Sequence, residues 1–223
     1  SIAKPAVMGS PPQTVSMERR HGLSWKVASL PLLFFILIPI AAIFLRIDPA
    51  DLVSSLQTPQ VSQAIRLSLV TSMITILVTV LFGTPVAYLL SHRRYRYYRL
   101  VDTLIDLPTI LPPSVAGVAL LMAFGRNGLL GGALSAFGWS IPFTMVAVVM
   151  AQTFIAAPLY IKSAALGFAA VGCELRQAAA LDGAGSWQTF RHIILPMSWS
   201  AMVSGGVMTW ARALGEFGAT IIF

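Results

Sequence analysis

Charge is what this sequence has least of. Only 10% of its 223 residues are Asp, Glu, Lys or Arg, against 57% hydrophobic residues, whereas soluble domains carry about 25% charged residues. A water-soluble protein of this make-up would expose large apolar patches and aggregate. The composition therefore excludes a soluble fold and points to an integral membrane protein. Cysteine is nearly absent too. Cys173 stands alone, so an intrachain disulfide is excluded, and no ligand partners lie at metal spacing. His21, His92 and His192 are scattered along the chain, whereas a metal site needs clustered ligands. There is no Ser/His/Asp motif, no H-E-x-x-H and no Gly-rich phosphate loop. Nothing in the sequence supports catalysis, a bound cofactor or a metal.

What is present is a series of long uncharged runs. No formal charge falls between Lys26 and Arg46, Arg66 and Arg93, Asp106 and Arg126, Arg126 and Lys162, or Arg191 and Arg212. A helix crossing the hydrocarbon needs about 20 apolar residues. Five spans are expected, at Val27–Leu45, Leu67–Ser91, Ile110–Phe124 with its flanks, Ile141–Ile161 and Ile193–Ala211. The third is the weakest, because Pro108, Pro112 and Pro113 crowd its start. The runs are long and lack the roughly ten-residue alternating segments of a membrane barrel. The expected fold class is all-α, a polytopic transmembrane helix bundle.

Basic residues set the expected orientation. Residues 1–24, with Pro5, Pro11, Pro12, Arg19 and Arg20, read as a polar tail preceding a membrane domain over 25–223. The tail through Lys26, the HRRYRYYR loop (His92–Arg99) and the segment carrying Arg176 and Arg191 hold more Lys and Arg than the intervening loops. Positive residues are retained in the cytoplasm, which places the amino terminus, HRRYRYYR and the 172–196 segment there. Basic residues interleaved with aromatics can also grip a nucleic acid. Here the loop directly follows an uncharged span, and lipid headgroups and the interfacial belt account for it. Membrane lipid is the expected partner, and nucleic acid is not.

The segment QAAALDGAGSWQTFRHIILP, Gln177–Pro196, is neither apolar enough for a span nor loose enough for a linker. Gly172–Asp182 is rich in strong helix formers. Leu175, Ala178, Ala179 and Asp182 recur at helical spacing as a narrow face of small residues that another protein surface could approach closely. Gly183 suits the left-handed residue that ends a helix. Ser186 is a natural N-cap for a second helix carrying Trp187, Phe190, Ile193 and Ile194 on one side, and Pro196 ends or kinks it. On these grounds alone, a partner-binding elbow and a bare interfacial one are both open.

The spaced pattern Ala178-Ala179, Gly183, Ile193, Leu195-Pro196 resembles the EAA loop of ABC-transporter importer permeases, with Gln177 where the family usually has Glu. Asp106–Gly131, containing Phe-Gly-Arg-Asn-Gly, and Ala211–Phe223, containing Gly-Glu-Phe-Gly-Ala-Thr, resemble the molybdate branch of the sulfate/molybdate/tungstate permeases. The likeness runs from about Asp48 to Phe223. It implies a type I importer permease in which the loop docks in a groove of a cytoplasmic ATPase subunit. The implied docking residues are Glu174, Gln177, Ala178, Ala179, Asp182, Gly183 and Trp187. It also implies a second permease copy, two ATPase subunits holding the ATP and Mg, and an extracytoplasmic oxyanion-binding protein. The family continues into a sixth span, so this chain is expected to be a fragment.

The implied function is the membrane subunit of an ATP-driven oxyanion importer, with molybdate ahead of sulfate, thiosulfate or tungstate. A non-transporting anchor or channel is the alternative from another class. Pro112, Pro113 and Gly117 permit a bent helix lining a cavity. Arg212 and Glu216, four residues apart, can pair on one helix face. With Gly215 and Gly218 permitting a turn, Pro112, Pro113, Gly117, Arg212, Gly215 and Glu216 are the expected translocation path and gate. Gly205-Gly206 and Ala201 fit a close helix contact.

Overall fold

A computed structural model of the chain describes residues 15–46, 48–92, 97–138 and 141–216. Every regular element among them is helical. The chain divides into two units, residues 1–62 and 63–223. The first holds α1 (Val15–Arg46) and α2 (Pro49–Leu56). α1 begins inside the expected 1–24 tail and keeps Pro31 and Pro39 in its interior. Such prolines are tolerated in membrane helices, where neighbouring groups satisfy the freed carbonyls.

The second unit is built around α7 (Met145–Ala170), a 26-residue helix that follows the short α6 (Gly131–Ala136) and has Thr144 as its N-cap. The Thr144 Oγ1 accepts from the Ala147 N–H at 3.3 Å. α11 (Trp199–Leu214) packs along α7, and small residues let the two backbones meet. A Cβ on Gly205 would stand 2.7 Å from the Ser163 Cβ, and one on Gly167 2.6 Å from that of Ala201. The Ser163 hydroxyl donates to the Ala201 carbonyl at 2.7 Å. The close contact expected of Gly205 and Ala201 is therefore present, with Gly167 as a third contributor that sequence reading missed.

α3 (Pro59–Ser91) joins α7 and α11 through a polar seam. Thr71, Ser72, Thr75 and Thr79 follow helical spacing and are buried. Thr75 donates to Gln152 at 2.9 Å, Gln152 donates to Thr71 at 3.3 Å, and Trp210 Nε1 donates to Ser72 at 3.1 Å. Lipid tails are as apolar as leucine, so bonds of this kind, worth about 0.6–2 kcal/mol each, help hold such helices together.

α4 (Tyr98–Ile110) and α5 (Pro113–Phe124) meet at a bend of 117°. The cause is the proline pair. A residue before proline is driven out of the helical region, and Leu111 and Pro112 are both extended, with ψ 136° and 140°. Pro113 then restarts the helix at its first position, where its missing N–H costs nothing. The expected third span is thus broken. α5 alone rises about 18 Å, short of the hydrocarbon thickness of about 30 Å. Among the described residues three helices are long and apolar enough to cross a membrane, over Val27–Arg46, Pro59–Ser91 and Met145–Ala170, or four if the bent pair is one span. The expected fifth span is interrupted as well. Across Ile193–Ala211 lie the end of a π turn (Phe190–Ile194), the short α10 (Leu195–Met197), a turn at Ser198 and most of α11, which runs on to Leu214.

Candidate functional site

At one end of α7, directly after Val171, the chain enters the elbow. α8 spans Cys173–Leu181, one residue shorter at each end than expected. Gly183 adopts φ 82°, the left-handed conformation expected of it. The Ala184 N–H bonds the Ala179 carbonyl at 2.9 Å and the Gly183 N–H bonds that of Ala180 at 3.1 Å. This paired closure satisfies carbonyls that a helix end otherwise leaves open.

α9 (Ser186–Thr189) starts one residue earlier than anticipated. Gly185, which has no side chain to cap with, is its N-cap, and Ser186 is already helical. The Gln188 Oε1 instead accepts from the Gly185 N–H at 2.9 Å, the half of a capping box that needs no hydroxyl. The π turn follows, closed by the Leu195 N–H on the Phe190 carbonyl. Pro196 sits in the three-residue α10, which ends at Met197. It has no N–H to give the His192 carbonyl, and the wider turn takes up the mismatch.

Seven residues were expected to dock a partner. Glu174, Gln177, Ala178, Asp182, Gly183 and Trp187 are exposed, Trp187 at 67%. Ala179 is not, at 7%. The expected face of Leu175, Ala178, Ala179 and Asp182 is therefore split: α8 turns Ala179 inward and the others outward. Of the apolar side chains that follow, Ile194 is buried and Phe190 and Ile193 are half-buried, whereas Trp187 points out.

Two longer-range contacts anchor the elbow. The Arg176 guanidinium donates to the Phe168 carbonyl near the end of α7, and its Nη1 lies 3.1 Å from His92 Nε2, just past the end of α3. Beside it, Phe190 lies 4.9 Å from the Tyr88 ring and 5.8 Å from Phe168, and Trp187 stacks on Phe190 at 5.7 Å. Sequence reading found neither contact: His92 lies 84 residues from Arg176, and the Phe168 carbonyl, eight residues away, is reached only because the chain turns between α7 and α8.

The gate candidates lie on the α4–α5 bend, on α5 and at the end of α11, and both α5 and α11 pack on α7. Pro112 and Pro113 are exposed at the bend, and Gly117 is buried with Ala116 and Leu120 on the face of α5 that meets Ala151 and Ile155. On α11, Thr209 donates to the Ala156 carbonyl at 3.2 Å. One further turn on, Arg212 Nη1 donates to Glu216 Oε2 at 2.6 Å. The expected pair therefore exists, and the Glu216 side chain is buried at 2% exposure against 36% for Arg212. The glycine expected to free the turn beside it does not: Gly215 has φ −86°, open to any residue. Gly218 lies outside the described residues.

One charged cluster was not foreseen. Lys162, in the second half of α7, pairs with both Asp102 and Asp106 of α4, the latter at 3.0 Å. The two carboxylates stand four apart, on one face of α4. Among the described residues no group of His, Cys, Asp and Glu could hold a metal ion.

Residues 80–223 match the model of the family described as "Binding-protein-dependent transport system inner membrane component". The chain is 40% identical over 189 residues to the molybdenum transport system permease protein ModB of Mycobacterium tuberculosis, covering 85% of this chain and 72% of that protein. It is 38% identical over 193 residues to the molybdate/tungstate transport system permease protein WtpB of Thermococcus kodakarensis, covering 86% and 73%. In fold it is similar to a chain of a bacterial alginate ABC transporter crystallised with an alginate pentasaccharide-bound periplasmic protein. The TM-score is 0.62 at 16% identity, over 93% of this chain and 92% of that one.

Proposed function

The chain belongs to the family of binding-protein-dependent transport system inner membrane components, and from that premise we propose that it is the membrane-spanning subunit of an ATP-driven molybdate importer. The observation that carries the reading is the elbow. α8 is capped at Gly183 and presents Glu174, Gln177, Ala178 and Asp182 outward, while Arg176, Ala179 and Phe190 face the rest of the chain. An element exposed on one side and anchored on the other can receive a push and pass it on.

In this reading a cytoplasmic ATPase subunit seats on that outward face. Two ATPase subunits and two permease copies assemble, and an extracytoplasmic binding protein delivers the anion. The amino terminus and the elbow share the cytoplasmic side, as the basic residues favour. ATP and Mg bind the ATPase partner, and this chain hydrolyses nothing. ATP favours the closed ATPase dimer, and a ligand shifts an equilibrium only by its differential affinity for the two states. Closure draws the elbows together, and the spans follow as packed units. The bend at Leu111–Pro112 and the Arg212–Glu216 pair lie along the anion's path, Glu216 held neutralised while the path is shut. Gln177 keeps the shape and hydrogen-bonding capacity of the usual Glu without its charge.

Molybdate and tungstate are near-isosteric tetrahedral dianions, and relatives named for each are about equally similar to this chain. The test is reconstitution of the chain with its ATPase and binding protein in liposomes, followed by uptake of labelled molybdate and tungstate. ATP-dependent uptake that also requires the binding protein is the expected result. Failure of the ATPase to co-purify with the chain would refute the proposal.

A further inference from the structure

We infer that Arg176 is the positioning residue through which the elbow moves the ends of α3 and α7, an inference that rests on the transport reading above. Three helices meet at this one guanidinium. It rises from α8, and its Nη2 donates to the Phe168 carbonyl in the last turn of α7. Its Nη1 lies 3.1 Å from His92 Nε2, at the end of α3. The other ring nitrogen of His92 lies 2.9 Å from the Tyr88 carbonyl, which can only accept. That contact assigns the proton to Nδ1 and leaves Nε2 as the acceptor for Arg176. One tautomer satisfies both contacts.

The guanidinium is a rigid planar fork whose arms keep a fixed angle. A displacement of α8 therefore pulls on both helix ends together, which a lysine's single flexible ammonium could not do. The apolar contacts follow the same three segments, with Phe190 of the elbow against Tyr88 of α3 and Phe168 of α7.

Two details separate a transmission point from a simple clamp. First, α8 is two-sided: Glu174, Gln177 and Ala178, beside Arg176 in sequence, are exposed, whereas Arg176 is half-buried. The residues offered to the ATPase and the residue gripping the spans share one rigid helix of nine residues. Second, the Arg176 Nε is buried and has no hydrogen-bond partner among the described residues. Buried donors are normally satisfied. A guanidinium that leaves one donor open in this position can exchange one bond for another as the elbow shifts, which is what a two-state contact requires.

The test uses the assembled transporter, permease with ATPase and binding protein, in liposomes, with molybdate uptake and ATP hydrolysis read in the same vesicles. In R176A the ATPase subunit should remain bound, while uptake per ATP hydrolysed falls about ten-fold or more, within the usual range of coupling factors. R176K should fall with it. A clamp that merely holds the fold would lower the amount of complex and leave uptake per ATP unchanged; that outcome overturns the inference. A second pair approaches from the other end. H92Q retains a side-chain acceptor and should keep the wild-type ratio, whereas H92L removes it and should lower the ratio. If R176A does not accumulate, this pair decides alone, and equal ratios in H92Q and H92L overturn the inference. A wild-type complex that binds no ATPase and imports no molybdate refutes the transport reading itself, and the inference with it, whatever the variants do.

Discussion

At Gly183 the backbone turns left-handed, and nothing lies within 4 Å of where a Cβ would stand. Space is therefore not the constraint; the dihedral is. An alanine there costs about 1–2 kcal/mol, an asparagine less, and a proline cannot reach the conformation at all. In the proposed complex, G183N and G183A should retain most ATPase binding in a pull-down, and G183P should lose it while still inserting in the membrane. Burial separates the two neighbouring alanines, Ala178 exposed and Ala179 buried. A179W would collide inside the chain and lower its thermal stability. A178W, on the outward face, should leave stability unchanged and abolish pull-down. Full ATPase binding by both G183P and A178W would remove the elbow from the docking interface. Gly183 and the Arg212–Glu216 pair were legible in the sequence because both are local: a cap is decided within six residues, and a helix brings i and i+4 together. The inward turn of Ala179 was not. Which side of an alanine-rich helix is covered depends on the rest of the chain, and alanines carry no polarity signal.

At the scale of elements, α4 is held to α7 by Lys162 between Asp102 and Asp106. All three side chains are about one-third exposed or more, so each bond is worth less than the roughly 1.5–3 kcal/mol of a buried hydrogen bond to a charged group. The balance of charge still ranks the variants. D102N leaves a neutral Lys162–Asp106 pair, whereas K162M leaves two like charges four residues apart on one helix face without the cation they share. K162M should therefore lower the unfolding midpoint in detergent more than D102N does, and the reverse order would show that the cluster is solvated. At the end of α11, E216Q keeps the shape of a buried side chain but removes the charge opposing Arg212. It should raise basal ATP hydrolysis in the assembled transporter and weaken its dependence on the binding protein, with assembly unchanged. Wild-type values of both would make the pair structural only. The Lys162 cluster was illegible for a plain reason. Its partners are 56 and 60 residues apart, and a sequence shows separated charges without showing which helices become neighbours. The proline pair advertised a bend, but its size, 117°, follows from two consecutive extended residues that composition does not reveal.

For the whole molecule, the uncharged runs identified the long helices and the class of protein, because exclusion of charge is a property of each span by itself. They overstated the third and fifth spans. α5 and α11 each fill only part of the corresponding run, since prolines, a π turn and a turn at Ser198 interrupt helices without adding charge. The proposed orientation has a direct check. With Cys173 replaced by serine, a cysteine at Tyr97 should react with a membrane-impermeant thiol reagent only from the cytoplasmic side, and one at Ser55 only from outside. Native Cys173, which is exposed in the elbow, should label from the same side as position 97. Labelling of positions 173 and 97 from opposite sides would separate the elbow from the HRRYRYYR loop and undo the docking proposal.

The π turn at Phe190–Ile194 carries one more residue than an α-helical turn would, and this sets the azimuth of everything before it. Each residue in a helix advances the chain by about 100°. Deleting His192 should let the helix close in ordinary register, leave the spans inserted, and swing α8 by roughly that angle about the local axis of the Phe190–Met197 segment. Its outward residues would then face a different quarter. The expected product is a well-folded permease that no longer captures its ATPase in a pull-down; retained capture would mean that the bulge does not aim the elbow. In the proposed complex, where the elbow points is thus a matter of counting: the bulge would act as a phase shifter between the docking face and the spans.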